Sequence, residues 1–145
     1  MQNLLGASLV LHWTADTKTN LTNFLVQAKT SGWVAFGPGS SMVGSQVVMG
    51  NVAGDAAPAV YSLGDYAPND VTKASGPSNQ LGVSAASVQI VDGETLLSFT
   101  IPSVNRRRAQ QSFIAAFGSS TYAHSASAPP TYFLRRAQLL IVSAR

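Results

Sequence analysis

Two side chains of this sequence stand out for the chemistry they could do, Met42 and His124. Met42 lies in "GPGSSMVGS", residues 37–45, and His124 lies in "TYAHSASAPP", residues 121–130. A turn of Gly, Pro and Ser gains nothing obvious from a large flexible hydrophobe. Either Met42 folds back to plug a core, or its thioether is offered to a soft partner such as a metal. The small residues around His124 would let a ligand come close to its imidazole. A thioether and an imidazole on separate loops form a recognised axial pair for haem iron, with a higher potential than two histidines give. Both donors are neutral and together they fill both axial positions. Such iron is six-coordinate and suited to electron transfer rather than O₂ chemistry. The chain has no cysteine, so the group implied is a non-covalent haem b.

The remaining histidine and methionines read as structural. His12 adjoins Trp13 in an apolar strand, and Met49 follows Val47-Val48, where Met commonly fills irregular gaps. Other chemistries fit poorly. No Gly-x-Ser-x-Gly nucleophile elbow accompanies the histidines. One Glu and five Asp, mostly in turns, offer no evident carboxylate pair for glycoside hydrolysis. The Gly-rich stretch at 37–45 runs into a strand, whereas a phosphate loop runs into a helix. Blue copper needs a cysteine.

These side chains must be held by strands. Apolar runs with β-branched and aromatic members occupy 7–13, 21–28, 32–36, 44–52, 58–63, 87–91, 94–101, 111–117 and 132–142. Asp92-Gly93 between two of them predicts a tight hairpin. No window of a dozen residues carries an uninterrupted helical apolar face. Residues 105–112 read as loop, and residues 64–80 and 118–131 as long loops by composition. About nine short strands separated by turns predict an antiparallel β-sandwich.

The 145 residues fit one domain, 1–145, able to bury a core without staples. Charged residues are only 10% of the chain, a composition more common in secreted β proteins than in cytosolic enzymes. Net charge is +3, and Arg106-Arg107-Arg108 and Arg135-Arg136 hold five of the six arginines. These clusters read as solvated loop, or as groups that pair with haem propionates or steer an acidic partner. They lack the broad basic face and stacking aromatics of a nucleic-acid binder. No apolar run is long enough for a membrane-spanning helix. Met1 is followed by no signal-peptide pattern, and the chain reads as a domain cut from a longer protein.

"LHW", "GWVAFG", "SMVGSQVV" and "FIAAFG…YAHS" resemble the haem-binding branch of the DOMON family, over about Leu9 to Ile141. That branch includes the cytochrome domain of cellobiose dehydrogenase and DOMON domains linked to cytochrome b561 modules. The resemblance implies an immunoglobulin-like β-sandwich with a haem b site between loops at one end. By position, Met42 and His124 would be the iron ligands. The strands Trp33–Phe36 and Phe113–Phe117 would wall the pocket, with Phe36, Phe117, Tyr61 and Tyr122 near the haem. Where the family often carries a late-strand Trp, this chain reads Ile114-Ala115-Ala116-Phe117-Gly118. The function implied is electron transfer, not catalysis of its own, within a larger oxidoreductase. Its redox partner would be a cytochrome b561-type membrane module or a dehydrogenase in the same parent protein. The acceptor would be extracellular, and so would the domain. The alternative is a haem-free DOMON module that binds carbohydrate or another small ligand.

Overall fold

The computed structural model describes residues 2–4 (as backbone), 8–50, 57–64, 71–103 and 112–118. Ten strands lie among them, in chain order β1 (Gln2–Leu4), β2 (Leu9–Asp16), β3 (Leu21–Ala28), β4 (Trp33–Pro38), β5 (Gln46–Gly50), β6 (Ala59–Leu63), β7 (Val71–Lys73), β8 (Ser84–Val91), β9 (Glu94–Pro102) and β10 (Phe113–Gly118). They form two antiparallel sheets, ordered β1-β2-β3-β9-β8 and β10-β4-β5-β6-β7. The all-β sandwich expected from the sequence is what forms. The expected strand at 132–142 lies outside the described residues, as do most of 105–112 and 118–131.

Two short strands were not anticipated. β1 pairs with the start of β2. β7 pairs with β6 inside the stretch expected to be loop. Only Val71 of β7 is buried, so its apolar signal is a single residue. A 3-10 turn, Gly76–Ser78, follows, and the Ser78 hydroxyl closes it by accepting from the Ser75 N–H at 3.0 Å and donating to the Ser75 carbonyl at 2.7 Å. β2 runs three residues beyond the expected end at Trp13, because Thr14, Ala15 and Asp16 stay in register with Asn23, Thr22 and Leu21. The Asp92-Gly93 hairpin forms as expected: both residues have positive φ, 51° and 78°, as a primed two-residue turn requires.

Strand alternation builds the core between the sheets. Leu9, Leu11, Phe24, Val26, Leu97, Phe99 and Ile101 come from the first sheet; Val34, Phe36, Val48, Val60, Phe113 and Ala115 come from the second. Four phenylalanines form its centre. Phe36 stacks on Phe113 at 5.3 Å between ring centroids, and Phe24 stacks on Phe99 at 5.4 Å. Contacts of this kind add about 0.5–1.5 kcal/mol per pair beyond burial.

The crossing from β3 to β4 moves the chain from one sheet to the other, and it is tied down by hydroxyls. The Thr95 side chain is fully buried, and its hydroxyl lies 2.7 Å from the Thr30 carbonyl and 3.0 Å from the Gly32 carbonyl. The Thr30 hydroxyl donates to the Gly118 carbonyl at 2.8 Å and accepts from the Gly32 N–H at 3.1 Å. The beginning of β4 and the end of β10 are thereby fixed relative to β9.

The two outer faces differ. On the first sheet the outer face is largely uncharged and polar, with Ser87 paired to Ser98 through their hydroxyls at 2.7 Å and Thr100 donating to Asn23 at 2.6 Å. On the second sheet the outer face is buried. Trp33, Ala35, Val47, Met49, Leu63, Val71, Ile114 and Ala116 form a second apolar cluster there, none more than 5% exposed.

Candidate functional site

β4 ends at Gly37-Pro38, and the chain must turn back to begin β5 at Gln46. Gly44 takes φ +81°, a conformation that favours glycine, and this re-aims the chain. The returning loop docks on the end of β6: the Gly44 N–H donates to the Leu63 carbonyl at 2.7 Å, and the Leu63 N–H donates to the Ser45 carbonyl at 2.9 Å. At its other end the Gly39 N–H donates to the Ser112 carbonyl at 2.9 Å, beside the start of β10. Inside the loop the Ser45 hydroxyl donates to the Ser41 carbonyl at 2.6 Å, and the Ser41 hydroxyl donates to the Val43 carbonyl at 2.9 Å. The segment is closed on itself and stitched to both neighbouring strands.

Its base is clamped as well. The Gln46 amide donates to the Ser62 hydroxyl at 3.0 Å and to the Ser78 carbonyl at 2.5 Å, and its oxygen accepts from the Gln80 N–H at 3.0 Å. These bonds join β5, β6 and the segment after the 3-10 turn.

The loop carries Met42 back over the outer face of the second sheet. There the half-buried thioether side chain packs against the second apolar cluster, as does Tyr61. Met42, Ala35, Val47, Leu63, Ile114, Ala115 and Ala116 line a cavity of about 10 Å³. That is room for one water molecule, in a place where no polar side chain among the described residues lines it. Ala35 of β4 and Ile114, Ala115 and Ala116 of β10 are among these lining residues.

The other expected site residues divide by strand parity. Tyr61 shares the Met42 face, opposite Val47 in the register. Phe36 and Phe117 point the other way, into the core between the sheets. The structure therefore does not bring them to Met42. His124 and Tyr122 lie outside the described residues, as do both arginine clusters. His12 stands on the outer face of the first sheet, in register with Leu25. Its neighbour Trp13 is 37% exposed. The cavity beside Met42 lies against the outer face of the second sheet.

A soft, neutral sulfur donor stands over an apolar floor in which Ala35 and Ala116 leave space, and this suits the thioether side of a porphyrin. The cavity is far smaller than a porphyrin, so the group would enter only if it widened. Among the described residues no three His, Cys, Asp or Glu side chains gather to hold a metal by themselves, and no helix is long and apolar enough to cross a membrane. No protein-family model and no curated protein matches this chain. The resemblance to DOMON domains thus rests on the quoted motifs.

Proposed function

We propose that this chain is a b-type cytochrome module that holds one haem through Met42 and His124 and passes single electrons. The observation that carries the reading is the position of Met42. Its side chain neither enters the sandwich core nor extends into solvent; it covers an apolar sheet face whose centre is built of small residues. A thioether needs such a dry setting to compete as an iron ligand, and apolar surroundings help to raise the potential. When bound, the haem supplies a one-electron couple. The chain's own contribution is to present sulfur from one loop and imidazole from another, to exclude water at the Met42 side, and to wall the ring with β4 and β10. The electron donor or acceptor is proposed to be a cytochrome b561-type membrane module or a dehydrogenase of the same parent protein, with the domain on the extracellular side.

The test is a hemin titration of the purified protein followed by absorption. The expected result is one hemin per chain with a sharp Soret band that shifts on reduction. A protein that stays colourless after hemin is added refutes the reading. It would favour a haem-free module for carbohydrate or another small ligand, a role for which the partly exposed indole of Trp13 offers a stacking surface.

A further inference from the structure

Among the described residues, the loop of Met42 is braced from within, and the brace points to a further residue of the site. We propose that Ser45 is a positioning residue: its hydroxyl latches the loop at Ser41 and so holds the Met42 sulfur over the outer face of the second sheet before any ligand arrives. This inference rests on the proposed haem site for its purpose, though not for its first test.

Three observations support it. The Ser45 hydroxyl reaches back four residues to the Ser41 carbonyl at 2.6 Å, closing a ring that contains Met42. The Ser45 N–H also points back, to the carbonyl of Met42 itself at 3.3 Å. Thirdly, the hydroxyl lies against Gly39. A Cβ placed on Gly39 would collide with the Ser45 Oγ, so residue 39 has no room for a side chain while the latch is closed. The Ser45 carbonyl meanwhile accepts from Leu63, whose side chain lines the same cavity as Met42. One residue therefore joins the loop to itself and to the cavity wall.

The physical consequence is preorganisation. A seven-residue loop of Gly, Ser, Met and Val is entropically costly to fix. If its order is established beforehand, a weak thioether ligand need not supply that cost on binding iron. An unlatched loop would leave Met42 sampling solvent, where it loses to water and to small added ligands.

Two variants open the latch by different routes: Ser45→Ala removes the donor, and Gly39→Ala displaces it. Ser45→Thr keeps the hydroxyl. The first readout needs no haem. Protein without hemin is treated with dilute hydrogen peroxide, and sulfoxide at each methionine is followed by mass spectrometry. Met49 is the internal control, since it is buried in the same cluster but lies on β5. In Ser45→Ala and Gly39→Ala, Met42 is expected to oxidise at least about fivefold faster than in the unaltered protein, with Met49 unchanged and Ser45→Thr close to the unaltered rate. Equal Met42 rates in all four proteins overturn the proposal, as does a rise at Met42 and Met49 together, which signals general loosening. The second readout is the hemin-loaded protein with added imidazole. Exchange of the thioether should occur at lower imidazole in the two unlatched variants. Should the unaltered protein take up no hemin, the haem reading fails while the oxidation series still decides on the latch.

Discussion

Ala35 of β4 and Ala116 of β10 are direct partners in the strand register, side by side on the face that Met42 covers. Any larger pair there would fill the cavity, and no contact of the sandwich core would report it. Ala116→Leu should therefore separate ligand binding from folding. Overpacking typically costs about 1–3 kcal/mol, so the β circular dichroism spectrum should persist. Hemin affinity should fall by about tenfold or more, equivalent to about 1.4 kcal/mol. Unchanged hemin affinity in a folded Ala116→Leu protein would move the haem off this face.

Removing either proposed ligand should give different spectra. Met42→Ala should still hold haem through the imidazole, with a lower reduction potential and an open position that accepts cyanide. His124→Ala should lose the low-spin spectrum outright. Potentiometry and absorption distinguish the two outcomes. Identical spectra for both variants and the unaltered protein would refute the ligand assignment.

Phe36 provides the contrast. Its ring belongs to the aromatic centre between the sheets and stacks on Phe113. Phe36→Ala should destabilise the protein by about 3–5 kcal/mol, read from urea unfolding. The hemin spectrum of the folded fraction should not change, because the side chain faces away from Met42. A spectral change with intact stability would place Phe36 at the site after all.

The hydroxyl of Thr95 tests the frame beneath the site. Thr95→Val keeps the shape and leaves the carbonyls of Thr30 and Gly32 without this donor. Unfolding free energy should drop by about 1–3 kcal/mol. A variant as stable as the parent protein would show that the crossing from β3 to β4 does not depend on this bond.

The sandwich was legible because its signals are local. Asp92-Gly93 set a turn, and Leu9, Leu11, Phe24 and Val26 set the inward faces by period-two alternation. β7 was hidden because one buried valine in a polar stretch resembles loop. Phe36 and Phe117 lie on the face opposite Met42. Alternation from Ala35 and Ala116 already assigned them to the opposite face. The buried outer face had a signal too: "WVAFG" and "FIAAF" are continuous apolar runs, and such runs belong to strands covered on both sides. Trp13 reads as core in sequence because it continues the parity of Leu9 and Leu11. In the structure it is 37% exposed. The hydroxyl latch at Ser45 depends on how a loop folds on itself, which residue types alone do not specify.

The most direct measurement is near-infrared magnetic circular dichroism of the ferric, hemin-loaded protein, since this spectrum distinguishes axial ligand pairs. Thioether–imidazole ligation is expected, and it should vanish in Met42→Ala. A bis-imidazole or high-spin spectrum, or no loading at all, would contradict iron held by Met42 and His124.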